Sequence, residues 1–354
     1  MRPAGHGHYG RPMSELTNRC YRLRSRPERL VTDDVLELVE EPVPAIGPGQ
    51  ALARTRYLSL DPSNRIWMSE ARSYLPPVPI GAVMRGIGIC EVIESQRDDM
   101  KPGDFVTGFS GWQELVVVDD ANEFPLTVLP APLPAPAPAL LGPLGHTGIT
   151  AYLGIEDIAD LKPGETMVVS AAAGAVGSIA AQIGKARGAR VVGLAGSDDK
   201  CKHLVDEFGL DACVNYKADD WREQMDAATP DGIDVDFENA GGEIMDHVLR
   251  RINIGARIVL CGMISQYTSY GDGDGPAGQR EIAQLIMQRA TMRGFLVLDH
   301  ADRFPEAIEY LAGLLGNGQL QYDETIVEGL ENAPQALNDM FSGANIGKLL
   351  IKVS

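Results

Sequence analysis

Residues 168–178 read Val-Val-Ser-Ala-Ala-Ala-Gly-Ala-Val-Gly-Ser, a strand-like run that turns through Gly174 and Gly177 into a helical period. The spacing is Ala-x-Gly-x-x-Gly, with Ala172 where a dinucleotide fingerprint carries its first glycine. Gly174 permits close approach of a pyrophosphate to the backbone, and Gly177 lets the helix pack tightly on the strand. The free N–H groups from Gly174 through Ala175, Val176 and Gly177, with the positive end of the helix dipole, would hold phosphate. About twenty residues on, where an NAD site places an acid against the ribose 2′-hydroxyl, the tip of the next strand-like run reads Leu194-Ala-Gly-Ser-Asp-Asp-Lys200. Gly196 and Ser197 leave room there and Lys200 can reach a 2′-phosphate, which favours NADPH over NADH. Asp198 and Asp199 are the objection; as the first residues of a helix they would cap it and face solvent.

These residues need a scaffold, and the pattern around them predicts one. Strand-like runs fall at 167–172, 190–195, 212–216, 235–238, 257–262 and 292–298. Helix-like runs lie between them, at 178–187, 198–208, 219–227, 244–251 and 281–288. Six strands separated by five helical periods predict an α/β fold with a doubly wound parallel sheet of the Rossmann kind. Upstream the chain reads as a β-rich unit, with strands expected at 35–40, 51–60, 81–95, 105–108 and 114–118 and a turn at Lys101-Pro-Gly-Asp104. Seven of the 23 prolines fall between Pro125 and Pro143, which predicts an extended, stiff crossing between two units. Past an amphipathic helix at 304–315, the tail returns to short strands around 325–327 and 348–353, with a helix near 333–341. It is expected to pair back into the first unit. The expected division is 1–147 for a β-rich catalytic domain, 148–316 for the nucleotide-binding domain, and 317–354 for the return.

Composition narrows the partners. Thirty-one Lys and Arg against 49 Asp and Glu give a net charge of −18, which argues against nucleic acid or an anionic membrane surface but not against one small anion. The five cysteines are scattered and lack a C-x2-C pair, so neither a disulfide framework nor a zinc knuckle is expected, and they read as reduced thiols of a cytoplasmic protein. His6 and His8 read as part of a floppy N-terminal extension, and no signal peptide precedes them. The uncharged stretch 166–184 is long enough to span a membrane, but its Ala, Gly and Ser content and its internal glycines predict strand, turn and helix instead. No Gly-His-Glu stands in the first unit and no four-cysteine lobe exists, so no metal site is expected. Asp272 and Asp274, in a Gly-Asp-Gly-Asp-Gly run, read as a surface loop rather than a calcium site.

Taken together, Ala171 to Ser178, Gly196 to Lys200, Val214-Asn-Tyr-Lys217, Phe237-Glu-Asn-Ala-Gly-Gly242 and Leu260-Cys-Gly-Met-Ile-Ser-Gln-Tyr267 resemble one family. It is the zinc-independent medium-chain dehydrogenase/reductases of the leukotriene B4 dehydrogenase, prostaglandin reductase and curcumin reductase type. Asn18-Arg19, Ser25-Arg-Pro27, Leu58-Ser-Leu-Asp-Pro62 and Asn345-Ile-Gly-Lys348 extend the resemblance over nearly the whole chain. It implies a GroES-like first domain, commonly a homodimer, and NADPH-dependent reduction of the C=C bond of an α,β-unsaturated ketone or aldehyde. By motif position it implies that Lys200 and Tyr216 contact the 2′-phosphate and adenosine ribose. Asn239, Cys261 and Gly262 would line the cofactor, Phe295 and Val297 would meet the nicotinamide with Thr150 nearby, and Asn345 would close over the phosphates.

Tyr267 matches the family's active-site tyrosine. When hydride adds to the β-carbon, charge develops on the carbonyl oxygen, and a neutral phenol can donate a hydrogen bond to it. The proton for the α-carbon could come from this phenol or from water. Relatives continue Asp-Pro with Tyr-Met-Arg, whereas here Asp61-Pro62 is followed by Ser63-Asn64-Arg65. Ser63 and Asn64 would enlarge the substrate pocket and make it more polar, unless Trp67 or Tyr57 supplies the lost wall. A quinone oxidoreductase using the same cofactor site is the alternative activity, and an NADPH-binding protein without turnover is a third reading.

Overall fold

The structure is a computed structural model that describes residues 16–269 and 281–354. His6, His8, Asp272 and Asp274 lie outside the described residues.

A six-stranded parallel sheet forms one half of the molecule. Its strands are β8 (Thr166–Val169), β9 (Arg190–Ala195), β10 (Ala212–Asn215), β11 (Ile233–Glu238), β12 (Ile252–Leu260) and β13 (Thr291–Gly294), in the spatial order 10-9-8-11-12-13. Counted from β8 this is 3-2-1-4-5-6, the doubly wound order in which the chain reverses direction beside the first strand. β8 and β9 bury nearly every residue, as strands covered on both faces must. The crossovers are α3 (Ala175–Ala186), α4 (Asp198–Asp206), α5 (Trp221–Ala228), α6 (Gly242–Leu249) and α8 (Gln284–Gln288). One core, around Met167, Val169, Ile179, Ile183 and Phe237, fills one side of the sheet. A second, around Val168, Val192, Met225, Val248 and Ile258, fills the other. The uncharged stretch 166–184 is therefore strand, turn and helix, and no helix among the described residues is long and apolar enough to cross a membrane.

The other half is antiparallel. β3 (Ala51–Ser59), β4 (Ile87–Ser95), β5 (Phe105–Phe109) and β7 (Thr127–Val128) follow one another, and β6 (Leu115–Val118) pairs with β3. A hairpin of β1 (Thr17–Leu23) and β2 (Leu36–Pro42) flanks this sheet. β1 was not legible from the sequence, because Arg19 and Arg22 interrupt its apolar alternation. Across the proline-rich segment the chain makes a 3-10 turn at Ala137–Leu140 rather than running wholly extended. It then enters α2 (His146–Leu153), a helix the expected pattern lacked. After α9 (Phe304–Gly316), the tail adds β14 (Glu324–Glu328), α10 (Ala333–Ser342) and β15 (Lys348–Lys352). β15 lies antiparallel to β3 and parallel to β14, so the C-terminus does return to the first sheet. Two short helices, α1 (Ser63–Trp67) and α7 (Ile264–Tyr267), touch where the two halves meet.

Candidate active site

The turn after β8 is shaped to receive phosphate. Gly174 is the N-cap of α3 with extended backbone, so the first N–H groups of the helix have no partner of their own there. A Cβ at Gly177 would lie 2.4 Å from the carbonyl oxygen of Ala171, so no larger residue fits without moving the turn. The left-handed position of the turn is Ala171 (φ 49°), not Ala172, whose side chain is buried in the sheet core. The tail reaches this turn directly: Gly347 N–H donates to Ala173 O at 2.8 Å.

At the tip of β9, the Ser197 hydroxyl caps α4 by accepting the Lys200 N–H at 3.3 Å. Asp198 and Asp199 are exposed in the first helical turn, and Asp198 accepts from Asn215 Nδ2 at 2.9 Å. They face solvent in the first turn as expected, where their charge suits the helix dipole, but the cap expected of them is made by Ser197, one residue earlier. Lys200 Nζ donates to Gly343 O and Asn345 O, each at 2.7 Å. An ammonium has three protons, so two hold the tail loop and one is left for an anion. Burial and the neighbouring Lys217 push the Lys200 pKa down. A Cβ at Gly196 would lie 2.9 Å from Tyr216 Oη and 3.5 Å from Lys217 Cε. Gly196 therefore opens a recess bordered by Tyr216 and a second cation. Lys217 belongs in this cluster; it closes the run Val214–Lys217, but sequence reasoning gave it no role. Two adjacent cations in a chain of net charge −18 fit a 2′-phosphate.

Further along, the ends of β11 and β12 form the floor. Asn239 Nδ2 donates to Ser170 O at 2.8 Å, and Cys261 and Gly262 N–H both donate to Glu238 O at 3.0 Å. Glu238 is fully buried and accepts from Ser170 Oγ at 2.5 Å and from Gly241 N–H at 2.9 Å. Burial raises its pKa against these hydrogen bonds, and raises that of neighbouring Asp236 further. The Cys261 thiol is pushed up to about 12 by burial and by Glu238. β13 ends at Gly294, so Phe295 follows the strand and Val297 opens a 3-10 turn, Val297–Arg303, instead of extending the strand to 298. Both side chains pack on the sheet core, and the Thr150 hydroxyl of α2 donates to His146 O at 2.6 Å.

Tyr267 closes α7. Its hydroxyl accepts the Met263 N–H at 3.0 Å, and lies 3.3 Å from the position of a Cβ on Gly262. Arg65, 1% exposed on α1, holds this helix in place by donating to Thr268 O at 3.1 Å and to Pro27 O at 2.9 Å. Behind α1, buried Asp61 accepts from Lys348 Nζ at 2.7 Å, and His146 Nε2 of α2 lies 3.4 Å away. Burial would raise the Asp61 pKa, but Lys348 and His146 hold it well below the usual carboxylate range. The Lys348–Asp61 ion pair thus joins the first segment to the tail, beside His146 at the start of α2.

Ser63 and Asn64 stand at the start of α1. Asn64 is buried and structural: its Oδ1 accepts the Asp61 N–H at 2.8 Å and its Nδ2 donates to Arg85 O at 3.2 Å. The aromatic beside Ser63 is Tyr74, whose ring meets Trp67 edge-on at 6.5 Å. Trp67 is buried against Phe109, and Tyr57 packs with Ile89, Leu141 and Leu350. Tyr74, which the sequence reading did not name, thus stands beside Ser63 with Trp67, which it did name, packed against it.

A dinucleotide-shaped turn with a phenol fixed beside Gly262 at the end of β12 is the arrangement of an oxidoreductase, and the comparisons with known proteins agree. Residues 19–126 match the family described as the N-terminal domain of oxidoreductase, and residues 175–313 match the one described as zinc-binding dehydrogenase. The chain is 41% identical over 339 residues to NADPH-dependent curcumin reductase of Escherichia coli, covering 95% of this chain and 97% of that protein. It is 35% identical over 338 residues to rat prostaglandin reductase 1, covering 94% and 98%. The crystal structure of CurA from Vibrio vulnificus in complex with NADPH superposes with a TM-score of 0.89 at 39% identity, covering 95% of this chain and 99% of that one. The chain belongs to the medium-chain dehydrogenase/reductase family, in the group that holds the curcumin, 2-alkenal and prostaglandin reductases. Despite the name of its second domain family, no group of three His, Cys, Asp or Glu able to hold a metal exists among the described residues.

Proposed function

We propose that this chain is an NADPH-dependent reductase that saturates the carbon–carbon double bond of α,β-unsaturated ketones and aldehydes. The observation that carries the reading is the Tyr267 hydroxyl, fixed by the Met263 N–H at 3.0 Å beside Gly262. An O–H whose oxygen already accepts a hydrogen bond is a stronger donor. It would point that proton at the substrate's carbonyl oxygen, where negative charge develops as the β-carbon is reduced.

NADPH, when bound, supplies the hydride. The residues that would hold it are the N–H groups from Gly174 to Gly177, Lys200, Lys217 and Tyr216 at the 2′-phosphate end, and Asn239, Cys261, Gly262, Phe295, Val297 and Thr150 along its length. Lys200 also carries the Gly343–Asn345 loop, so the same ammonium would bind the phosphate and keep the tail over the turn. Arg65 fixes α7 and with it the phenol. The Tyr74–Trp67 wall favours substrates with a flat apolar body next to the enone.

The division at 147/148 and 316/317, the metal-free chemistry and the homodimer belong to this reading. The β15–β3 pairing supports the first, and the homodimer comes from the family resemblance. Light scattering on the purified chain measures the assembly. The activity is tested by following NADPH oxidation with an enone, an enal and a quinone, using NADH as control. Turnover of enone and enal with a strong preference for NADPH supports the reading; turnover of the quinone alone overturns it.

A further inference from the structure

Two of the five cysteines, scattered in sequence, meet in space. The Cys213 thiol on β10 donates to Cys201 Sγ on α4 at 2.8 Å, and both are free thiols. Cys201 is 8% exposed and Cys213 is half-buried, so neither residue is sealed from solvent. Cys201 directly follows Lys200, and Cys213 precedes Tyr216 and Lys217 by a few residues.

We propose that Cys201 and Cys213 form a reversible intramolecular disulfide under hydrogen peroxide, fastening α4 to β10 between the two lysines of the 2′-phosphate clamp. The sulfurs need to close by less than about 1 Å to reach bonding distance, roughly 2.05 Å, so α4 and β10 keep their places. The Cys201 thiolate attacks one peroxide oxygen. An S–O bond forms, the O–O bond breaks, and the departing oxygen leaves as water after taking a proton. The Cys213 sulfur then attacks the resulting sulfenic acid, forming the S–S bond and expelling a second water with its own thiol proton. Two thiols lose two electrons in total, and one hydrogen peroxide is reduced.

Selectivity follows from the surroundings of each thiol. Cys213's hydrogen bond lowers the Cys201 pKa against burial. Burial pushes Cys20 and Cys90 up to about 11 and Cys261 to about 12, leaving those three protonated at neutral pH.

The experiment treats the whole chain with one equivalent of hydrogen peroxide, followed by alkylation and intact and peptide mass spectrometry. The expected result is a loss of two hydrogens, protection of two cysteines of five, a linked peptide joining Cys201 to Cys213, and full recovery with dithiothreitol. The closed loop is short, and the thermal midpoint of the oxidised chain should rise by several degrees. Cys213→Ser should instead leave a sulfenic acid on Cys201 that dimedone traps. Five alkylated cysteines after treatment, a linkage to any other cysteine or between chains, or equal dimedone labelling in the unsubstituted chain would each overturn the proposal. None of these readouts uses the reductase reaction, so their failure is separate from a failure of the proposed activity.

Discussion

The two ends of the candidate site are built on different principles. The phosphate end is made of backbone and of cations close in sequence: Gly174 to Gly177 at the start of α3, and Lys200 and Lys217 flanking the tips of β9 and β10. The chemical end is assembled from side chains far apart in the chain. Lys348 reaches Asp61 across 287 positions and Arg65 reaches Thr268 across 203. A backbone cradle is specified by local conformation, which a short motif carries whole. A site held by a long-range ion pair and a long-range side-chain-to-backbone hydrogen bond is specified only by the fold, so its failure modes are failures of assembly.

The largest effect is expected at the chemical end. Lys348→Met strands the buried Asp61 carboxylate, and about 3–5 kcal/mol of stability should be lost, read as a fall in urea midpoint. The low Asp61 pKa means this contribution is fully present above the unfolded carboxylate value, and is lost only as pH falls through the still lower folded value. Next comes Tyr267→Phe, expected to lower kcat by roughly a hundredfold with an enone while leaving the KM for NADPH unchanged. An unchanged kcat would reduce Tyr267 to a packing residue.

The phosphate end should respond in binding instead. Lys200→Met should raise the KM for NADPH by about tenfold or more, with little change for NADH, because a charge-assisted hydrogen bond is lost. Lys217→Met, at an exposed position, should raise it only a few-fold. If both variants affect NADH equally, the clamp does not read the 2′-phosphate. The smallest effect is expected at Asp236, buried beside Glu238 with no cation paired to it among the described residues. Its folded pKa is raised, so the folded state binds more protons than the unfolded one and stability falls as pH rises above about 4. Asp236→Asn should flatten that slope above the unfolded carboxylate range in denaturant titrations.

This contrast also explains what the sequence revealed. The parallel sheet, the tail's return and the ends of β9 and α9 were legible because each rests on local periodicity or on Gly and Pro placement. The start of α4 beside the tip of β9 was legible, but its cap was expected at Asp198 and Asp199 and is made by Ser197, because any of these short polar side chains can cap and only the folded backbone selects one. Ala171 escaped notice, since only the folded turn shows which alanine takes the left-handed position. β1 was hidden by arginines that pair with Glu114, Glu331 and Glu41 only after folding. Tyr74 and Arg65 were hidden for the same reason, because nothing near them in sequence announces the partner. The cysteines read as scattered, and the α4–β10 contact makes two of them a pair.

The most direct test uses NADPH carrying deuterium at the transferable C4 position and an aliphatic enone. The account predicts a saturated ketone with one deuterium on the β-carbon. An allylic alcohol with deuterium on the former carbonyl carbon would contradict it.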